Sequence, residues 1–411
     1  MAEPANAPPQ LPPAQLSGAQ PTYALPPSVP LESTFPEPLG ALMLARAIPD
    51  VRLLPVEALA SALRRTLARH GRKLLGYRDP RGHERLRREL ATMLSCPYGL
   101  ATSPDGVMVT RGSQQALFLV AGALLSPGDL VALEALGSPL AWAALRHGKA
   151  ELTPIPVDDE GLDLDALERL VKQRRLRAVH VTPHHQFPTN AVMPSERRAR
   201  LAALAVEHRF LIIEDDYDRE FQYEGRTLPP VAAGAGGANV IYLGSLSKLL
   251  APGLRVGYVM APAAVLERIA NLRAACDVQG DAIVECAIAE LFEDGELLRH
   301  VRRMREAYGR RREVLAEALK RHLGDVLTFA VPDGGMAIWA RVAPSIDTDA
   351  WALAGEKRRV IFRGAALFDF AGRSRPFVRL GFTYHNEAEL REAAVRMAEA
   401  LPTVRKNNPR D

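Results

Sequence analysis

Lys248 closes the segment Gly244-Ser245-Leu246-Ser247-Lys248, and Arg255 follows seven residues later. Of the 52 basic residues only 7 are lysine, which leaves 45 arginines, so a lysine inside a motif is worth following. Upstream, Glu214-Asp215-Asp216-Tyr217-Asp218 ends another β-rich run, and alternation along a strand end sends Asp215 and Tyr217 to one side and Glu214, Asp216 and Asp218 to the other. Arg111-Gly112-Ser113-Gln114-Gln115 opens a helix whose free amides can cradle a phosphate. An amine that can form a Schiff base, an acid for a pyridine nitrogen and donors for a phosphate together meet the needs of a pyridoxal phosphate site. Each signal is weak alone: SxSK is usually a surface lysine, and Ser113 alone is ordinary helix capping. Their agreement at several strand ends carries the argument.

The elements that must position these residues alternate regularly. β-Rich runs are expected at Val107 to Thr110, Leu130 to Glu134, Glu151 to Ile155, Ala178 to Pro183, Phe210 to Asp215, Val240 to Ser245 and Arg255 to Ala261. The first six start about 20 to 35 residues apart, room for helical crossovers, which predicts a mainly parallel sheet of α/β class with helices on both faces. The seventh follows too closely for a crossover and is expected antiparallel. In such sheets ligands gather at the carboxyl ends of the strands. Amphipathic spacing predicts helices at Val56 to Arg69, Gly82 to Leu94, Asp281 to Leu323 and Glu387 to Leu401. Val326 to Val342, Val360 to Phe362 and Phe377 to Phe382 read as strands of a smaller α+β domain.

Residues 1–38 hold eleven of the 32 prolines and no Lys or Arg, a composition for a loose tail or linker. The expected division is that tail, an N-terminal segment over 39–100 contributing to the small domain and a dimer interface, a large cofactor-binding domain over 101–290, a C-terminal small domain over 291–405 and a tail over 406–411. A net charge of +4 in 411 residues excludes a histone-like nucleic-acid binder. The arginines at 302, 303, 305 and 310–312 suit a solvated helix face better than a nucleic-acid patch. Cys96, Cys276 and Cys286 lack metal spacing and suggest a reducing, cytoplasmic setting. The start has no secretory pattern, and no apolar run is long enough for a bilayer. The paired His184 and His185 lack further ligands at zinc spacing and read as a polar loop.

The stretches LLGYRDPRGHERLRREL, VMVTRGSQQAL, VTPHHQFPTNAVMPSERR, IIEDDYDREFQYEG, IYLGSLSKLLAPGLRVGYV and PFVRLGF together resemble the fold type I pyridoxal phosphate enzymes. The resemblance is to class I/II aminotransferases and, within them, to the aminotransferase-like domain of MocR branch GntR-type regulators, over about residues 45 to 400. It implies a Lys248 Schiff base with pyridoxal 5′-phosphate, Lys248 then acting as the base at the substrate carbon. Asp215 would pair with the pyridine nitrogen and Tyr217 with the phenolic oxygen. Ser245, Ser247, Arg255 and the amides around Ser113 and Gln114 would hold the phosphate. Tyr77 is similar to a tyrosine that reaches the neighbouring subunit's phosphate, implying a homodimer, and Arg379 to the arginine that grips the substrate carboxylate.

Three departures bear on substrate handling. Ser138 stands where the family carries a ring against the cofactor, so stacking is either absent or supplied by Trp142. Ala47 replaces a glycine, and Asn190 stands where FPTG has glycine, suiting a left-handed backbone. MocR regulators carry a winged helix-turn-helix ahead of a linker; this chain opens with linker-like sequence, so DNA binding is not expected of it alone. The expected function is transamination between an amino acid and a 2-oxo acid. The alternative is an effector-sensing module of a MocR-type regulator separated from its DNA-binding domain.

Overall fold

Seven short strands form one sheet: β1 (Val107–Thr110), β2 (Leu130–Glu134), β3 (Glu151–Ile155), β4 (Leu176–Val181), β5 (Leu211–Asp216), β6 (Val240–Ser245) and β7 (Gly257–Met260). The computed structural model describes residues 38–401. The tails expected over 1–38 and 406–411 thus lie outside the described residues, Pro38 excepted. Sheet order is β1-β7-β6-β5-β4-β2-β3, parallel throughout except for β7, which runs antiparallel to both β1 and β6. That reversal has a local cause, the short connection after β6, and a consequence for the site. It sets Gly257 opposite both Thr110 and Ser245, so Arg255 meets the carboxyl ends of β1 and β6.

Both faces of the sheet are covered, which is why its central strands are apolar without alternation. On one face pack α3 (Gly112–Leu124), α4 (Pro139–His147) and α7 (Ala263–Cys276), joined through Leu119, Trp142 and Ile269. On the other lie α5 (Leu164–Gln173) and α6 (Ser195–His208), through Leu167 and Leu201. Helix α5 is capped by Asp163, whose carboxylate accepts from the Asp165 and Ala166 amides.

A second, antiparallel sheet has order β8-β9-β11-β10, from β8 (Leu327–Thr328), β9 (Ala337–Val342), β10 (Arg363–Gly364) and β11 (Phe377–Gly381). Its register sets Trp339 and Arg363 on either side of Arg379. Helices α9 (Glu296–Leu323), α10 (Thr348–Lys357) and α11 (Glu387–Glu399) pack against it, with Trp351 and Phe362 in the shared core. Preceding the first sheet, α1 (Val56–Leu74) and α2 (Glu84–Ser95) pack on α8 (Ala282–Glu293). Leu42–Met43 pairs in parallel with Val360–Ile361, and Thr383 Oγ1 donates to the Ile48 carbonyl, so the segment carrying Ala47 is held along the second sheet.

Several expected boundaries are corrected. Asp281 to Leu323 is two helices, because Gly295 adopts a left-handed φ of 68° between α8 and α9. Val326 to Val342 is broken into β8 and β9 around Pro332-Asp333-Gly334-Gly335. Val360 to Phe362 shortens to Val360–Ile361, which pairs with Leu42–Met43, and the strand that joins the second sheet is Arg363–Gly364. Strand β4 begins two residues before the expected Ala178, and α1 runs on to Leu74.

Candidate active site

Strand β5 delivers its acids to both faces. Asp215 faces the carboxyl edge, where its Oδ2 lies 3.7 Å from His180 Nε2, and its Oδ1 is buried without a hydrogen-bond partner among the described residues. On the opposite face Glu214 accepts from the Val231 and Ala232 amides, and Asp216 from the Tyr242 hydroxyl at 2.8 Å. The alternation expected for this run fails at Asp218. The strand ends at Asp216, and Asp218 turns back to bond His185 Nδ1 at 2.7 Å, close enough for its charge to act on Lys248. Burial opposes protonation of His185, but Asp218, with Asp216 and Gln222 adding to it, raises the imidazole's pKa on balance.

Lys248 lies just past β6, and its Nζ donates to the Ala47 carbonyl at 3.2 Å. Burial, then the charge of Arg379, lowers its pKa to about 8, against the pull of Asp218 and Asp215. A buried amine that loses its proton near neutrality is a nucleophile and a base. Tyr217 donates its hydroxyl to the His185 carbonyl at 3.2 Å, and burial pushes its pKa well up, so it stays a donor.

At the neighbouring strand ends the backbone itself is shaped. Gly112 has φ 77°, and a Cβ there would lie 2.9 Å from the Arg255 guanidinium; a Cβ on Gly257 would meet the Gly112 carbonyl carbon at 2.6 Å. Glycine at both positions lets Arg255 close over the first turn of α3, where its Nη2 donates to the Arg111 carbonyl at 3.1 Å. Arg255 itself sits in the left-handed region at φ 51°. The first-turn amides at Ser113 and Gln114 have no partners within the helix, while the Gln114 side chain is committed to the Leu140 carbonyl. Ser245 and Ser247 are buried beside this turn, Ser247 Oγ donating weakly to Val256 O at 3.4 Å.

From the second sheet comes Arg379, only 4% exposed, with its Nε unpartnered and its guanidinium carbon 4.6 Å from the Phe187 ring centre. Phe187 stands edge-on to both Tyr217 and Phe368, and Phe368 to Trp339, so an aromatic wall borders the arginine. Tyr77 is apart from this group, 87% exposed. Trp142 belongs to the core beneath Gly137, edge-on to Phe370, so its ring is already occupied. Asn190 has φ 63°, as its replacement of glycine suggests, and its side-chain amide donates to the Ala337 carbonyl.

Sequence reasoning missed His180, Phe187 and the Asp218–His185 pair. His180 was visible only as an inward position on β4; Phe187 and Asp218 lay inside quoted motifs without a role. Among the described residues no helix is long and apolar enough to cross a membrane.

An acid with a buried, unpartnered oxygen, a lysine of lowered pKa and an arginine-closed helix start are a donor set suited to a phosphorylated pyridine aldehyde. The sequence profile described as Aminotransferase class I and II matches residues 47–397. The chain belongs to that family. With the family come the fold type I architecture, pyridoxal 5′-phosphate as cofactor and aminotransferase chemistry. The chain is 31% identical over 371 residues to an aromatic-amino-acid aminotransferase of Thermococcus litoralis, covering 89% of each chain. It is 31% identical over 314 residues to a probable rhizopine catabolism regulatory protein, MocR, of Rhizobium meliloti, covering 76% of this chain and 63% of that one. Among solved structures, the α-aminoadipate aminotransferase LysN of Thermus thermophilus, complexed with N-(5′-phosphopyridoxyl)-L-leucine, superposes with a TM-score of 0.82 at 30% identity, over 89% of this chain and 93% of that one.

Proposed function

We propose that this aminotransferase moves an amino group between an amino acid and a 2-oxo acid, with Lys248 as the residue that holds the cofactor covalently and shuttles the proton. The observation that carries the reading is the largely enclosed Lys248 amine at the carboxyl end of β6, held by the Ala47 carbonyl at 3.2 Å, within the electrostatic reach of Arg379, Asp218 and Asp215, and lowered to about 8. Pyridoxal phosphate, when bound, supplies an aldehyde carbon and a protonated ring that accepts the electrons released at the substrate's Cα. The protein's part is positioning and proton transfer. The unpartnered Asp215 carboxylate holds the proton on the ring nitrogen, and Tyr217 offers its hydroxyl to the phenolic oxygen. Ser245, Ser247, Arg255 and the Ser113 and Gln114 amides hold the phosphate, with the α3 dipole in support.

Arg379 takes the substrate carboxylate in a two-point, charge-assisted contact that aims Cα at Lys248. Lys248, freed by the incoming amine, removes the Cα proton and returns it on the cofactor side. The exposed Tyr77 is assigned to the phosphate of a second subunit, which makes the working unit a homodimer with shared sites. The domain division proposed is 39–100 with 291–405 against 101–290, since Arg379 and Ala47 enter from the first group and Lys248 and Asp215 from the second.

The test is borohydride treatment of the cofactor-loaded protein followed by peptide mass analysis, with a panel of amino donors assayed for oxo-acid release. A stable mass addition at Lys248 and release from at least one donor are expected; addition at another lysine, or none, defeats the assignment. Similarity to the MocR regulator favours a second reading, an effector-sensing module. In that case donors alter the absorbance of the bound cofactor and no oxo acid accumulates.

A further inference from the structure

A cavity of about 380 Å³ lies outside this site, between the C-terminal end of α2, the segment after β5 and the junction of α8 with α9. Its wall is apolar, with Met93, Leu249, Phe292, Leu297 and Val301 facing it, and Arg302 and Arg305 of α9 stand at its rim. Three residues apart, these two arginines share a helix face. They differ from most of the arginines around them on α9, although Arg310, away from the cavity, is also without an ion pair among the described residues. Arg299 and Arg303 pair with Glu296, Arg311 with Asp50 and Arg312 with Glu224. Arg302 and Arg305 are exposed and have no ion pair or hydrogen bond among the described residues. The charged groups at the inner end are already satisfied, Arg219 by the Leu228 carbonyl and Asp216, and Glu220 by the Tyr98 hydroxyl.

The volume falls in the range of small-molecule pockets, roughly 300–1,000 Å³, and such pockets combine an apolar lining with a few placed polar groups. Here the apolar part calls for a hydrocarbon body, and the uncompensated cations at the mouth call for an anion. We propose that the cavity is an effector site for a small amphipathic carboxylate, its hydrocarbon against Leu249, Phe292 and Leu297 and its carboxylate between Arg302 and Arg305. Two of its walls lead directly to the active site. Leu249 follows Lys248 in the chain. Gln222, also in the wall, accepts from His185 Nε2 at 3.2 Å, and the His185 carbonyl in turn accepts the Tyr217 hydroxyl. An occupant that shifts either wall acts on Lys248 or Tyr217 without touching them.

The experiment is calorimetric titration of the cofactor-loaded protein with octanoate, and with octanol as the uncharged control, alongside the visible absorbance of the bound cofactor. It uses wild type, the double variant Arg302→Gln/Arg305→Gln, and Leu298→Trp, which fills the cavity from a half-exposed position. Unchanged melting temperatures establish that the variants fold. One saturable octanoate site is expected, at least about tenfold weaker for octanol and for the double variant, as loss of a charge-assisted contact implies. Leu298→Trp abolishes it, and saturation shifts the absorbance in wild type. No saturable binding, equal affinity for octanol, or undiminished binding to the double variant overturns the proposal. Binding without an absorbance shift overturns the effector role. A double variant that dissociates in sedimentation while wild type ignores octanoate assigns the face to a second copy instead. Calorimetry reads binding and not turnover, so the outcome is independent of the transamination assay.

Discussion

Strand β5 carries two sets of acids, and the contrast between its faces separates the part of the molecule that folds from the part that reacts. Behind the strand, Glu214 receives two backbone amides at 2.9 Å and Asp216 Oδ2 receives Tyr242 and Arg219, while Asp216 Oδ1 is buried without a partner among the described residues, so the protein completes the bonding of Glu214 in full and of Asp216 in part. In front, among the described residues, Asp215 has no hydrogen bond, Lys248 has the Ala47 carbonyl alone, and Arg379 keeps a buried Nε without a partner. Buried polar groups are nearly always paired. A cluster of unpaired ones at the open edge of a sheet is a set of groups waiting for a ligand, and it is paid for by the packing elsewhere. The residue types on the two faces are similar; what differs is how far the protein itself completes their bonding, Glu214 and Asp216 each holding protein donors where Asp215 holds none among the described residues.

The largest effect should come from the front face. Lys248→Ala removes the proposed base and attachment point, so kcat should fall at least about 10³-fold, in the upper range for loss of a general base. Borohydride should then add no mass, while circular dichroism stays unchanged. Residual turnover within tenfold of wild type would mean that the front face is not the reacting one.

Next in size, and aimed directly at the contrast, is the pair Asp215→Asn and Asp216→Asn. The front substitution should lower kcat by about 10²-fold and leave the melting temperature within a few degrees. The rear one removes a buried partner of Arg219 and Tyr242 and should cost about 3 kcal/mol of stability, as breaking a buried ion pair does. Denaturant unfolding and steady-state kinetics on both variants decide the matter; a crossed result breaks the comparison.

How far the two faces could be told apart from sequence follows from the range of the interactions. Strand alternation is local, so Asp215 and Tyr217 could be separated from Glu214 and Asp216, and the ends of β1, β2, β3 and β6 fell where the β-rich runs stop. Alternation says nothing once the strand ends, which is why Asp218 was misassigned: its partner His185 is 33 residues away. The break at Gly295 was masked by an apolar spacing that continues from α8 into α9, although Asp294-Gly295 is a visible helix stop. Pro332 to Gly335 likewise marked the turn between β8 and β9. His180 and Phe187 acquire roles only through tertiary neighbours, Asp215 for one and Arg379 for the other.

A smaller effect is expected where the second sheet meets the first. Arg379→Lys keeps the charge but loses the planar fork and the stack on Phe187, so KM for the amino donor should rise about 10- to 100-fold with a lesser change in kcat. Equal losses in both parameters would mean that Arg379 acts on the reacting bonds and not in substrate binding, moving it from the boundary of the front face into its centre.

The smallest effect tests whether the front face carries a stability cost at all. Lys248 has its pKa lowered to about 8 from 10.5, so between those values the unfolded chain binds more protons than the folded one. Stability therefore rises with pH across that window, and the cost is fully present below about 8. At about 1.4 kcal/mol per pKa unit, and discounting for partial solvent access, the cost is on the order of 2 kcal/mol. Cofactor-free Lys248→Met should thus be more stable than cofactor-free wild type at pH 7 by that order, with the gap closing as the pH climbs from about 8 to 10.5. Urea unfolding of both proteins at several pH values measures it. A gap that stays constant would mean that Lys248 is as well solvated as any surface lysine, and the two faces of β5 would then differ in bonding but not in energy.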